Sequence, residues 1–181
     1  LADTRTRSYL MDNPELVPEM VEALQKRDMP ERLAEAGDAV YEPFPGAILG
    51  NPSGSKTLIE FTDYNCPYCE SSLQDVARRV SEDPDLRVIV REWPIFEGSD
   101  VASRMALAAA MQGKYSAFHE AMFALGPATP ESVERAAIAG NLDMERATRD
   151  AVSDLVTEEL ARNSALARTI GITKAYTTRV G

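Results

Sequence analysis

A cysteine pair at a predicted strand-to-helix junction constrains this chain more than any other feature. The β-prone run 57–62 is followed by the sequence Cys-Pro-Tyr-Cys at 66–69, and apolar residues then recur at helical spacing over 73–80. Cys66 is therefore expected at a helix N-terminus, where unpaired N–H groups and the helix dipole favour an anion. Pro67 fits the first helical position, because its missing N–H would have had no partner there.

This position predicts a reactive thiol. The pKa of a thiol at a helix N-terminus falls from about 8.5 into the range of about 3.5–7.5. Two intervening residues let the sulfurs of Cys66 and Cys69 close a small, reducible disulfide across one turn. Cys66 is therefore predicted to be the attacking thiol and Cys69, deeper in the helix, the resolving thiol. This chemistry requires no cofactor and no metal.

Two other uses of such a pair are a structural disulfide and half of a zinc site. Disulfides that stabilise strongly close long loops, and this one closes almost none. Zinc takes four ligands, whereas the chain has two cysteines and one histidine, His119. The pattern favours a redox pair, and His119 is interpreted as a core or surface histidine rather than a catalytic one.

Length and charge narrow the class of protein. The 181 residues suffice for one domain with an appendage, and a net charge of −10 argues against nucleic acid as a partner. No apolar run approaches the roughly 20 residues of a membrane span. Residues 1–3 show no signal-peptide pattern, which fits a mature or trimmed chain. The scarcity of cysteine fits a periplasm-like compartment.

The chain divides into a helical segment, 1–40, and a domain, 41–181. In the first segment an apolar stripe packs either on the domain core or on another copy of the chain; its residues are Leu16, Met20, Val21 and Leu24. Glycine and proline are dense over 41–55, which predicts a connector. The stretch 86–92 predicts a second strand, parallel to the first through a right-handed crossover. Three or four helices are expected over about 99–170, the last opening at Asp143.

The segment 60–70 resembles the active site of the DsbA-like thiol:disulfide oxidoreductases of the thioredoxin superfamily. The similarity is greatest to the bacterial periplasmic subgroup that includes the ScsC (suppressor of copper sensitivity) proteins. It covers roughly residues 5–173. The other segments that carry it are 45–52, Glu92-Trp93-Pro94-Ile95, 112–115, Phe118-His119 and 167–173.

The resemblance implies an α/β thioredoxin fold with a long helical insertion and an N-terminal helical segment. It implies disulfide exchange on cysteine-containing protein substrates, a redox partner protein that resets the pair, a periplasmic location and self-association through the N-terminal region. An acidic residue at the position of Glu60 lies near the buried sulfur in this family and is expected to pass protons. An exposed Glu60 without a role is the alternative.

This chain differs from the family pattern at Tyr68, in the substrate loop and at the C-terminal strand and helix. Pro67 and Tyr68 are the residues expected to tune the reduction potential of the pair. The strongest oxidants of the family carry histidine at the position of Tyr68, so we expect a reduction potential between about −120 and about −270 mV. Where relatives carry a cis-proline in the substrate loop, this chain has Ala175 and Tyr176. The C-terminal strand and helix of the fold also have no counterpart in the sequence, which puts substrate docking and the sheet edge in question.

Other functions remain open at this stage. Cys-Pro-Tyr-Cys is also a glutaredoxin motif, although the long helical insertion argues against a glutaredoxin-like reductase. A redox-inactive chaperone or binding module is the alternative of a different class, and the altered C-terminal segment is its main support. Oxidase, reductase and isomerase share the same exchange chemistry and are not separated by the sequence.

Overall fold

The two predicted strands form the centre of the sheet in the computed structural model. The model describes the backbone of residues 2–172 and 176–178, and the side chains of residues 3–17, 19–21, 23–24 and 27–172. Strand β2 (Lys56–Thr62) is parallel to β3 (Leu86–Glu92), and their register pairs Lys56 with Leu86 and Thr62 with Glu92. Strands β1 (Ile48–Gly50) and β4 (Tyr176–Thr178) flank them antiparallel, in the order β1-β3-β2-β4. The ends of β2 and β3 therefore lie side by side at one edge.

The described elements follow the predicted order from helical segment to sheet to helical insertion. The strands are β1 Ile48–Gly50, β2 Lys56–Thr62, β3 Leu86–Glu92 and β4 Tyr176–Thr178. The helices are α1 Ala2–Asp12, α2 Leu16–Ala36, α3 Pro67–Glu82, α4 Asp100–Ala110, α5 Tyr115–Leu125, α6 Pro130–Ala139, α7 Met144–Ala151 and α8 Asp154–Ile170, with a short 3-10 helix at Gly37–Val40.

The connector predicted over 41–55 contains a strand that the sequence analysis missed. Strand β1 pairs antiparallel with β3, and Phe44 and Ala47 before it are buried. Gly50 ends the strand with a φ of +76°, and a Cβ there would lie 2.5 Å from the Leu86 carbonyl oxygen. Gly50 thus ends a strand, although glycine is also typical of connectors. The high density of glycine and proline over 41–55 therefore led to a predicted connector where a strand of three residues lies.

The helical insertion has five helices among the described residues, not the three or four expected. The single last stretch predicted from Asp143 is two helices, because Ser153 caps α8 by accepting a hydrogen bond from the Val156 N–H. The sequence also predicts one apolar stripe across this break, made of Val152, Leu155, Val156 and Leu160. Val156 and Leu160 are buried, whereas Val152 and Leu155 are exposed, because the cap at Ser153 resets the helical phase.

The N-terminal segment contacts the domain through its second half. Met29, Leu33 and Ala36 of α2 pack against the core, and Arg32 donates a hydrogen bond to the Ile170 carbonyl oxygen. The predicted stripe nearer the N-terminus is mostly open, with Met20, Val21 and Leu24 about half exposed. The face that the sequence singles out therefore does not pack on the core of this chain.

The predicted substrate loop is described only in part. Tyr176 is the first residue of β4 and pairs with Phe61 of β2. Ala175 lies outside the described residues. Strand β4, which was not predicted from the sequence, occupies the outer edge of β2.

Candidate active site

The cysteine motif lies where strand β2 passes into helix α3, as the sequence predicts. Cys66 is the residue before the helix, with an extended backbone (φ −91°, ψ 115°), and Pro67 takes a first-turn position. The Cys66 carbonyl oxygen accepts hydrogen bonds from the N–H groups of Cys69 at 3.1 Å and Glu70 at 3.2 Å. Cys66 thus stands at the N-terminal end of the helix.

The two cysteines are in the reduced, dithiol form and differ in their surroundings. Both are buried, at 3% exposure for Cys66 and 1% for Cys69, and Cys66 lines a surface pocket. Burial raises the pKa of Cys69, and the neighbouring Cys66 and Glu60 raise it further, against a backbone hydrogen bond from Asp63 that lowers it. Cys69 is therefore the thiol that holds its proton more tightly than an ordinary cysteine.

Glu60 and Tyr68, two neighbours of the cysteines, differ in their exposure to solvent. Glu60 on β2 is buried, and its Oε1 accepts a hydrogen bond from the Ser72 hydroxyl at 3.4 Å. This agrees with the expectation of a buried acid near the pair. Tyr68 is 68% exposed, so its side chain points away from the core.

The pocket beside Cys66 has a volume of about 440 Å³ and lies between the cysteine turn and two loops of the helical insertion. Its walls are mostly apolar, and two carboxylate residues border it. The apolar part comes from Tyr64, Pro67, Phe123, Pro127 and Ala128, and the acidic part from Glu70 and Glu97.

Asp63 and Asn65 hold the loops against the cysteine turn, a role that the sequence analysis did not assign. Asp63 Oδ2 accepts hydrogen bonds from the backbone N–H groups of Ile95 at 2.6 Å and Phe96 at 2.9 Å. The Asn65 side chain donates to the Glu97 carbonyl oxygen at 2.9 Å and accepts from the Ala128 N–H at 2.7 Å. Polar residues just before a cysteine motif are a weak signal, because their partners lie 30 or more residues away in the chain.

A buried polar cluster lies behind the pocket. Glu92 Oε1 accepts hydrogen bonds from the hydroxyls of Tyr115 at 2.7 Å and Tyr64 at 3.0 Å. His119 Nδ1 lies 3.0 Å from the Tyr64 hydroxyl, and its ring stacks on that of Tyr115. His119 is therefore a core histidine, as interpreted from the sequence. The one sequence signal for the cluster is the spacing of Tyr115 and His119, four residues apart on one helix face.

Burial shifts the titration of this cluster in opposite directions. It raises the pKa of Glu92 to about 8, although the hydroxyls of Tyr115 and Tyr64 donate to the carboxylate and counteract part of that shift. It lowers the pKa of His119 to about 4. Both groups are therefore predominantly neutral near pH 7, because burial disfavours the charged form of each.

The described residues bear on two further classes of site. Among the side chains that the structure describes in ranges 2–172 and 176–178, no three or more of His, Cys, Asp or Glu are grouped so that they could hold a metal ion. None of the helices in the same ranges is both long and apolar enough to cross a bilayer.

Two family models match this chain. The one described as DSBA-like thioredoxin domain matches residues 57–173, and the one described as Copper resistance protein ScsC N-terminal domain matches residues 6–29. Among curated proteins, the Na(+)/H(+) antiporter NhaA of Herminiimonas arsenicoxydans is 30% identical over 128 residues. The match covers 66% of this chain, which spans about a fifth (20%) of the length of that relative.

Several solved structures share the fold. A thioredoxin-like oxidoreductase from Silicibacter pomeroyi DSS-3 is 39% identical, with a TM-score of 0.70, over 80% of this chain and 90% of that chain. Proteus mirabilis ScsC in a compact conformation is 26% identical, with a TM-score of 0.74, over 98% of this chain and 93% of that chain. A periplasmic thioredoxin-like protein from Salmonella enterica serovar Typhimurium is 26% identical, with a TM-score of 0.66, over 78% of this chain and 82% of that chain.

Proposed function

This chain belongs to the family of DSBA-like thioredoxin domains, and we propose on that premise that it is a thiol:disulfide oxidoreductase acting on cysteines of other proteins. The observation that carries the proposal is the asymmetry of the pair. Cys66 stands at the N-terminal end of α3 and lines the pocket, whereas Cys69 is buried and has a raised pKa.

The reaction starts at Cys66 in either direction. In the reduced protein, the Cys66 thiolate attacks a substrate disulfide, forms a mixed disulfide and releases one substrate thiolate. The Cys69 thiol then loses its proton and attacks the Cys66 sulfur, which releases the second substrate thiolate and leaves the Cys66–Cys69 disulfide. Two electrons pass from the protein to the substrate. The reverse sequence oxidises a substrate dithiol.

Cys69 needs a proton acceptor for this step, because its pKa is raised. Glu60 is the buried carboxylate whose charge acts on Cys69, and we assign to it the transfer of that proton. A Glu60→Gln variant should slow resolution of the mixed disulfide more than its formation.

In this proposal, Tyr68 and the first-turn Pro67 tune the reduction potential of the cysteine pair. Its exposed phenol supplies no positive charge to the reduced pair, so we expect a potential between those of DsbA at about −120 mV and thioredoxin at about −270 mV. The substrates are cysteine-containing proteins, and a separate redox protein returns the pair to its starting state. The periplasm is the proposed location, as for the Salmonella protein described above.

A redox titration against glutathione tests the proposal. A reversible two-electron couple that disappears in Cys66→Ser is the expected result. A midpoint near about −120 mV favours an oxidase, and one near about −180 mV an isomerase. Efficient turnover with glutathione alone, in preference to peptides, would instead favour a glutaredoxin-like reductase. Absence of a reversible couple would overturn the proposal in favour of a redox-inactive binding module.

A further inference from the structure

Two carboxylate residues border the pocket beside Cys66, near the reacting sulfur. Glu70 follows Cys66 by four residues, and its N–H bonds the Cys66 carbonyl oxygen, so it stands one helical turn from the thiol. Glu97 is held at the pocket by the hydrogen bond that the Asn65 side chain donates to its carbonyl oxygen. None of the described residues that line the pocket is a lysine or an arginine.

Neither carboxylate is neutralised within the part of the chain that the structure describes. Glu70 and Glu97 are exposed, and among those residues their side chains make no hydrogen bond or ion pair. Other surface carboxylates differ, as Asp83 is paired with Lys56 and Asp75 with Arg78. The two rim carboxylates are therefore available to a cation that enters from outside.

The rest of the pocket suits the stem of a long side chain. Phe123 and Ala128 are buried residues at its wall, and Pro127 adds an exposed apolar surface. Lysine and arginine lay their methylene stems on apolar surface while their charged ends reach polar groups. An apolar wall with two carboxylates at the rim is complementary to such a side chain in both respects.

We propose that this pocket binds a lysine or arginine side chain adjacent to the reacting cysteine of a protein substrate, with Glu70 and Glu97 as specificity-determining residues. The inference rests on the proposed function, because a substrate cysteine bonded to Cys66 places its neighbouring residues at the pocket. Substrates with a basic residue next to the cysteine are then held better in the mixed disulfide than those with an apolar or acidic one.

The test is an exchange equilibrium that involves no net oxidation. A Cys69→Ser variant is trapped as a mixed disulfide between Cys66 and a capped peptide with one cysteine. A second peptide thiolate attacks the Cys66 sulfur of that bond and releases the first peptide as a thiolate, so one mixed disulfide on Cys66 replaces another. The two peptides differ only in lysine against norleucine, placed before the cysteine in one pair and after it in another. Mass spectrometry of the protein gives the ratio of the two adducts.

We expect a preference of about threefold or more for the lysine peptide in at least one pair at low ionic strength. The preference should decrease at about 1 M salt, where the Debye length is about 3 Å. Adding Glu70→Gln and Glu97→Gln should remove it, and Glu97→Gln alone should reduce it. Glu134→Gln is the matched control, since Glu134 is exposed on α6 and does not line the pocket.

Lysine can alter the reactivity of the peptide thiol itself. This effect is the same with the double glutamine variant, so comparison of the two adduct ratios removes it. Equal adduct ratios in the two backgrounds, for both peptide pairs, would overturn the proposal. Far-UV circular dichroism checks that the variants are folded, and both substituted residues are exposed. The adduct ratio is measured without catalytic turnover. A missing redox couple would therefore reject the proposed function, while the adduct ratio would still test the specificity of the pocket.

Discussion

At the scale of single residues, the two cysteines differ in environment although only two residues separate them. Cys66 lines the pocket, and burial raises the pKa of Cys69. We expect iodoacetamide to modify Cys66 at least about tenfold faster than Cys69 in the reduced protein at neutral pH. Peptide mapping after short reaction times measures the two rates, and Cys66→Ser and Cys69→Ser provide the single-thiol controls. Equal rates at both cysteines would contradict the assignment of roles.

Glu92 should make stability depend on pH with a defined sign. Its pKa rises from an ordinary 4.5 to about 8 on folding, so the unfolded state loses this proton first and stability falls as pH rises between those values. The pKa of His119 is lowered from 6.5 to about 4, so its contribution is complete above pH 6.5 and is lost as pH falls toward 4. The Glu92 effect is therefore separated from that of His119 between pH 6.5 and about 8.

In that window we expect Glu92→Gln to remove a fall in the free energy of unfolding of up to about 1.4 kcal/mol per pH unit. Glutamine keeps an oxygen that accepts from Tyr64 and Tyr115 but cannot ionise. Urea denaturation at a series of pH values measures the effect. Glu120→Gln is the control, because Glu120 is exposed on the same helix as Tyr115. Parallel pH profiles for wild type and Glu92→Gln would show that Glu92 does not titrate as described.

At the scale of elements, the open stripe on α2 predicts self-association. Met20 and Leu24 are about half exposed, and exposed apolar clusters mark interaction surfaces. We expect sedimentation velocity to show an oligomer for the full chain and a monomer for Met20→Glu/Leu24→Glu. Substitution tests association without disturbing the core. Removal of residues 1–40 would also delete the Ala39 and Val40 carbonyl oxygens that accept hydrogen bonds from Arg91.

The control for this test is Val152→Glu/Leu155→Glu, which adds the same charge at exposed apolar positions in the helical insertion. It should associate as the wild type does. If wild type and both double variants sediment alike, the stripe does not drive association.

The segment before β4 is the second element with a testable consequence. Related proteins carry proline in the substrate loop where this chain has Tyr176, the first residue of β4. Proline is tolerated at the first residue of a strand. We expect replacement of Ala175-Tyr176 by Thr-Pro to raise the exchange rate with a peptide dithiol by about tenfold, and that with glutathione much less, because only the peptide needs positioning.

Ala175-Tyr176→Thr-Ala controls for loss of the tyrosine side chain without the proline. Stopped-flow measurement of both substrates separates the two rates. Equal changes with peptide and glutathione, or no change in either, would mean that this segment does not position the substrate.

At the scale of the whole molecule, Arg91 joins the N-terminal segment, the sheet and the insertion. This fully buried guanidinium donates hydrogen bonds to the carbonyl oxygens of Ala39, Val40 and Glu42 at 2.8, 3.0 and 2.6 Å. It also pairs with Glu159 of α8 at 3.3 Å. Arginine supplies several donors in a fixed plane, which suits such a junction.

We expect Arg91→Ala to lower the free energy of unfolding by about 3–5 kcal/mol, because it leaves buried carbonyl oxygens without a donor and removes one of the two arginines that pair with Glu159, the other being Arg162. Arg91→Lys should recover only part of this loss, since an ammonium group cannot reach all the acceptors. Arg79→Ala, at an exposed position on α3, is the control and should cost within about 0.5 kcal/mol. Urea denaturation gives all three values, and a loss below about 1 kcal/mol for Arg91→Ala would contradict this role.

The sequence by itself determined the elements whose signals are local. Strand β3 matches the predicted range 86–92, and α3 begins beside Cys66 because a strand-forming run, a first-turn proline and a helical apolar pattern act on neighbouring residues. Each of these two elements depends on residues that are neighbours in the chain, so both could be predicted without knowledge of the fold. The sequence left the burial of Glu60 open, and the central place of β2 in the sheet decided it.

Only the tertiary structure decided what surrounds the cysteines. The pocket exists because Asp63 and Asn65 bind loops that lie 32 to 63 residues further along the chain, and nothing local marks those partners. Strand β1 escaped prediction because three residues carry little periodicity and gain their hydrogen bonds from β3. The titration of Glu92 likewise depends on Tyr64 and Tyr115, which burial and folding bring to it from separate elements. Long-range contacts thus set the site's shape and charge, while local chemistry placed its reactive thiol.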